Sequence, residues 1–112
     1  MNTRVTSGPD PRTVDEIVRR IVETAAPERV ILFGSAARGE MGPDSDLDFL
    51  VVKECDDELA EARKIRRGLE GVAVGTPKEI IVVTPGYLAK HKDTIGYIYR
   101  PALREGRALY AR

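Results

Sequence analysis

Residues 30–52 read Val30-Ile31-Leu32-Phe33, then Gly34-Ser35-Ala36-Ala37-Arg38-Gly39-Glu40-Met41-Gly42-Pro43-Asp44-Ser45, then Asp46-Leu47-Asp48-Phe49-Leu50-Val51-Val52. Two apolar runs enclose a polar, glycine-rich interval. Short apolar runs bounded by Gly, Pro and Asp read as buried strands. The first, Val30 to Phe33, is apolar throughout and so belongs in the middle of a sheet. The second, Asp46 to Val52, opens with two carboxylates. Between them Ser35 to Arg38 can wind one helical turn before Gly39, Gly42 and Pro43 turn the chain.

Upstream, Thr13 and Glu16 have the spacing of a capping box. Behind them Val14, Ile17, Val18, Ile21, Val22 and Ala25 form one helical stripe that Pro27 ends. Residues 1–12, with Gly8, Pro9 and Pro11, read as a flexible N-terminal arm, and 13–112 as a single domain. Downstream, Leu59, Ala62, Ile65 and Leu69 make a second helix, closed by Gly71. Its acids lead and its bases follow, the order a helix dipole favours. Glu79 to Val83 is the third strand. Thr84-Pro85 starts a short helix through about Lys90. Ile95, Ile98, Tyr99, Ala102 and Leu103 again fall on helical spacing, with a kink or a restart at Pro101. Leu109-Tyr110 suits a short last strand. This order predicts an α/β (α+β) fold, a small mixed sheet with helices mainly on one face.

Lys plus Arg equals Asp plus Glu, eighteen each, in 112 residues. No global basic field draws in nucleic acid, and direct nucleic-acid binding is not expected. The single cysteine, Cys55, allows neither an intrachain disulfide nor a thiolate metal cage. No apolar run is long enough to span a bilayer and the N-terminus is no signal peptide, so a cytoplasmic protein is expected. His91 reads as an exposed helix-end residue and Cys55 as a small filler at a strand end. The four tyrosines read mainly as packing aromatics.

The chemistry concentrates on the opening stretch. Gly34 lets backbone approach a bulky ligand. Ser35, at the start of a helical turn, offers a hydroxyl and backbone N–H groups to an anion. Asp46 and Asp48, two apart on a strand, point to one face with Cα atoms roughly 6.6 Å apart. Hard carboxylate oxygens in that arrangement suit Mg2+. If the third strand lies beside the second, Glu79 reaches the same ions, either completing the metal site or taking an acceptor's proton. Arg38 either touches phosphate or pairs with a carboxylate. Together these residues suggest nucleotidyl transfer from a metal-bound nucleoside triphosphate.

Phe33-Gly34-Ser35, Ala37-Arg38-Gly39-Glu40 and Ser45-Asp46-x-Asp48, with ten residues between Ser35 and Asp46, resemble the signature of the minimal nucleotidyltransferases of the DNA polymerase β-like superfamily. The likeness extends from about Thr13 to the closing Arg104-Glu105-Gly106-Arg107-Ala108-Leu109-Tyr110. It implies a polymerase β palm-like core, Mg2+ on Asp46 and Asp48, triphosphate on Gly34 and Ser35, and ATP as donor; the reading of the residues adds Glu79 to the metal site and Arg38 to the phosphate side. Many such proteins are antitoxins paired with an HEPN-domain ribonuclease toxin, and some transfer AMP to a tyrosine of it. The resemblance therefore implies an HEPN toxin as partner and leaves homo-oligomerisation open. The family usually has Asp where this chain has Glu79, one methylene longer. The alternative expectation is a weakly active or inactive antitoxin that neutralises its partner by binding.

Overall fold

The computed structural model describes residues 10–39 and 46–112. Most of the expected arm, up to residue 9, lies outside the described residues, as do Glu40, Gly42, Pro43 and Ser45 of the central loop.

Helix α1 spans Pro11–Ala25. The expected capping box at Thr13 and Glu16 is not its start. Asp10 is the N-cap, its carboxylate accepting the Arg12 N–H at 2.9 Å, and Pro11 fills the first helical position. A proline there loses no bond, because first-turn N–H groups have no partner within the helix. The helix ends at Ala26, whose left-handed φ of 47° turns the chain just before Pro27. Val14, Ile17, Ile21 and Ala25 are buried, the inner part of the expected stripe.

Strands β1 (Arg29–Phe33), β2 (Leu47–Val52), β3 (Lys78–Val83) and β4 (Arg107–Ala111) form one mixed sheet in the order β3-β2-β1-β4. The β1–β2 and β1–β4 pairs are antiparallel and β2–β3 is parallel. The parallel pair needs a crossover, and helix α2 (Glu58–Gly68) supplies it. Asp57 caps α2 by accepting the Ala60 N–H at 3.0 Å. Glu58 and Glu61 occupy its first turn and Arg66 and Arg67 its last, as the charge order predicts. Lys53, just after β2, donates to Glu61 and pulls its carboxyl below the usual range.

Side chains alternate across the sheet. Val30, Leu32, Leu47, Phe49, Val51, Ile80 and Val82 pack under α1 and α2, where Ile17, Ile21 and Ile65 are fully buried. Each such aliphatic side chain contributes about 1.5–3 kcal/mol by leaving water. Ile31, Leu50, Val52 and Val83 face the other way and meet two seven-residue helices, α3 (Pro85–His91) and α4 (Tyr99–Glu105). The two long helices thus share one face. The short pair covers the second face over Ile31, Leu50, Val52 and Val83, while Asp48 and Glu79 on the same face stay half-buried and exposed.

Thr84 caps α3 through the Tyr87 N–H at 3.2 Å, as the Thr-Pro signal predicts. The helix expected around Pro101 restarts two residues before it. Pro101 falls in the first turn of α4, where its missing N–H costs nothing. Ile95 and Ile98 consequently lie outside the helix and face solvent, contrary to their expected place in a buried stripe. Gly96, at φ 94°, breaks the helical path between them. His91 is half-buried rather than exposed: it stacks on Tyr97 at 4.7 Å and lies 4.4 Å from the Tyr87 ring. Among the described residues no helix is long and apolar enough to cross a membrane.

Candidate active site

Register brings the acids together. Asp48 on β2 lies opposite Phe33 of β1 on one side and Glu79 of β3 on the other. Register partners point to the same face, at roughly 4.8 Å between neighbouring strands. Asp46 precedes the strand by one residue, and the adjacent Leu47 N–H is fastened to Pro77 O at 2.9 Å. Asp46 and Glu79 are exposed, Asp48 is half-buried, and Leu47 and Phe49 between them are buried on the far face. The alternation of polar and apolar residues therefore holds the carboxylates on the end of the sheet that α3 and α4 leave open.

The chain leaves β1 through Gly34 directly against this cluster. Gly34 has φ +77°, and a Cβ there would come under 3.0 Å from Asp48 Oδ2. The positive φ favours glycine, and the close approach would force the Asp48 carboxylate to move if any Cβ were present. The next residues turn tightly. Gly34 O accepts the N–H groups of Ala37 at 3.1 Å and Arg38 at 3.3 Å, and Ala36 O accepts that of Gly39 at 3.2 Å. Buried Ala36 pins the turn to the core, and the half-buried Ser35 opens it beside the acids.

Charge is concentrated here. Partial burial, then the nearby carboxylates of Asp46 and Glu79, push the Asp48 carboxyl above its usual value of 3.8. Asp48 thus lies within electrostatic reach of both Asp46 and Glu79, and a cation beside it would relieve the repulsion. Among the described residues no three His, Cys, Asp or Glu side chains are gathered tightly enough to cage a metal ion. Mg2+ does not need such a cage. It keeps several waters and is commonly held by one or two carboxylates together with substrate phosphates. Hard oxygen donors at the mouth of an open shelf suit that arrangement.

Arg38 does pair with a carboxylate, a partner the sequence did not single out: its Nη1 lies 3.5 Å from Glu105 Oε1. The signal lay in Arg104-Glu105-Gly106, which brings an acid to the end of α4. Cavities among the described residues lie elsewhere: one of about 220 Å3 among Glu28, Val52, Leu88 and Lys92, one of about 380 Å3 among Ile95, Tyr97, Ile98 and Pro101, and one of about 210 Å3 among Arg66, Leu69, Lys78 and Ile80. None of these is lined by Asp46, Asp48 or Glu79. A site on an open strand end makes a shelf, not a hollow.

The nucleotidyltransferase domain model matches residues 12–107. The chain belongs to the nucleotidyltransferase domain family. Solved structures carry the same fold. A Sulfolobus solfataricus protein described as a candidate nucleotidyltransferase superposes with a TM-score of 0.59 at 23% identity, covering 90% of this chain and 79% of its own. A toxin–antitoxin structure with AMP-PNP gives 0.65 at 14% identity, covering 88% and 73%. A mutant MntA-HpeT toxin–antitoxin gives 0.62 at 12%, covering 93% and 75%. Comparison with curated proteins gives no match. The family assignment accounts for a fold that leaves a glycine turn and strand-borne acids on one open edge.

Proposed function

We propose that this nucleotidyltransferase-family protein moves AMP from ATP to a hydroxyl of a partner protein, a tyrosine of a cognate HEPN-domain toxin, and so acts as an antitoxin. The observation that carries this reading is the meeting of Asp46, Asp48 and Glu79 beside the Gly34 turn. Asp46 and Asp48 would hold Mg2+ together with the substrate phosphates, with Glu79 beside them on the neighbouring strand to complete the site once the ion and nucleotide draw it in. When bound, the ion neutralises phosphate charge and makes the leaving pyrophosphate easier to expel. Ser35 and the turn behind Gly34 hold the outer phosphates, and Arg38 stands next to them. The acceptor oxygen forms a bond to the α-phosphorus, and the bond from that phosphorus to the α,β-bridging oxygen breaks. Pyrophosphate leaves with the electron pair, and the hydroxyl proton passes to Glu79 or to water. Glu79, exposed and one methylene longer than Asp, would be the residue open to the acceptor.

The open shelf supports a large acceptor. Asp46 and Glu79 are exposed and Asp48 is only half-buried. The test is transfer of label. ATP labelled on the α-phosphate should mark the toxin, ATP labelled on the γ-phosphate should not, and Asp46→Asn with Asp48→Asn should abolish the mark. Absence of α-label transfer by the intact protein would sink the reading.

One feature favours a second reading, neutralisation by binding alone. Ile95 is 83% exposed, and Tyr87, Tyr97 and Ile98 are each about 40% exposed beside it. Arg100 lines the same groove, Lys90, Lys92 and Arg104 precede or follow it within a few residues in sequence, and Asp93 and the Glu58 carboxylate near Tyr87 and Tyr99 oppose them, four bases against two acids. Apolar surface with a charged rim marks a protein contact. The rim suits an acidic toxin surface and disfavours a second copy, whose like charges would meet. If the double Asn variant neutralises the toxin as well as the parent, binding is sufficient.

A further inference from the structure

We propose that Glu105 is a positioning residue for nucleotide binding, holding the Arg38 guanidinium at the edge of the phosphate turn. This rests on the nucleotidyltransferase reading and adds a role for the end of α4.

Arg38 and Glu105 are 67 residues apart in sequence, and Arg38 Nη1 lies 3.5 Å from Glu105 Oε1. Glu105 is the last residue of α4, the end where the helix dipole is negative and where a base, not an acid, is favoured. An acid in that place gains nothing from its own helix. Its position is nonetheless fixed. Gly106 donates its N–H to Ala102 O at 2.9 Å, and it packs so closely that a Cβ would meet Ala102 O, Ile31 Cγ2 at 2.8 Å and Leu32 O at 2.9 Å. Arg107 then pairs with Leu32, one residue before Phe33 and two before Gly34. The Glu105 carboxylate is thereby tied to the same strand end that carries the phosphate turn.

Arg38 is 42% exposed and its long side chain has many rotamers. A guanidinium presents five N–H donors in a fixed fork, enough to serve a carboxylate and a phosphate together. Held by Glu105, it meets an incoming triphosphate already aimed, and less entropy is lost on binding. An exposed pair adds little to folding. Its effect therefore shows in nucleotide affinity.

The test is calorimetric titration with Mg2+ and AMP-PNP, with a melting curve for each variant. Glu105→Gln should raise the apparent Kd about fivefold, the upper range for an exposed pair. Its melting temperature should stay level or rise, because an acid leaves a helix C-terminus. Glu105→Asp, which keeps the charge, should recover part of the affinity. In an Arg38→Ala background Glu105→Gln should add no further loss. Wild-type affinity in Glu105→Gln, or an equal loss with and without Arg38, would overturn the proposal and leave the family reading intact. A wild-type protein that binds no nucleotide would overturn both.

Discussion

Gly34→Ala isolates the contact on which the proposed site is built. The substitution has two consequences. The backbone holds φ at +77°, a region that costs an L-residue about 1–2 kcal/mol. The new methyl also overlaps Asp48 Oδ2, so the carboxylate must rotate away from its preferred well, at about 0.5–1.5 kcal/mol more. The sum, about 2–3 kcal/mol, corresponds to a fall in melting temperature of roughly 10 °C for a domain of this size. The functional loss is larger than the stability loss, because the atom displaced is a proposed metal ligand. Urea denaturation of four proteins checks the reasoning: parent, Gly34→Ala, Asp48→Ala and the double variant. In the Asp48→Ala background the overlapping oxygen is gone, so the cost of Gly34→Ala should fall to the backbone share alone. Mg2+-dependent AMP-PNP affinity, measured on the first two, should drop at least tenfold in Gly34→Ala, an estimate equivalent to about 1.4 kcal/mol. A Gly34→Ala protein within 0.5 kcal/mol of the parent (about the spread of neutral surface changes) and with unchanged affinity would refute the claim that Gly34 must touch Asp48.

Three further outcomes follow from the same geometry. Asp48, pushed up by burial and by its acidic neighbours, takes up protons more readily folded than unfolded. Its ionisation therefore opposes folding above its folded pKa, and the penalty disappears below the unfolded value of 3.8. Asp48→Asn should be more stable than the parent at pH 7, with the difference closing in acid denaturation series near pH 3, and excess Mg2+ should raise the melting temperature of the parent alone. Gly106→Ala should cost about 2–3 kcal/mol through its clash with Ala102 O and Leu32 O, read as a lower denaturation midpoint. Ile95→Asp, on the exposed basic-rimmed patch, should weaken toxin capture at least tenfold, about 1.4 kcal/mol, while leaving AMP-PNP affinity unchanged.

The central stretch was legible because its signals are local. Two apolar runs, a glycine between strand and turn, and alternation at Asp46-Leu47-Asp48 each fix a conformation without help from distant residues. Glu79 was legible through a single assumption, that β3 lies beside β2, and the parallel register bears out that placement. The start of α1 was misplaced because two caps compete within six residues. Asp10-Pro11 wins over Thr13 and Glu16, since proline presets the first helical φ. Ile95 and Ile98 were misread because helical spacing cannot show where a helix begins. Gly96 and Pro101 break that spacing into an exposed loop and a short helix. Arg104-Glu105-Gly106 marked an acid at the end of α4 but not its partner: Glu105 meets Arg38 because β4 folds back along β1 and carries the end of α4 with it.

The placement of the metal and triphosphate is tested most directly by replacing Mg2+ with paramagnetic Mn2+ in the presence of AMP-PNP and recording backbone amide signals. Broadening should be strongest at Gly34, Ser35, Asp48 and Glu79 and weaker around Ile95 to Ile98, whose groove none of the acids lines. Broadening centred on the Ile95–Pro101 groove, or none at saturating nucleotide, would contradict the account.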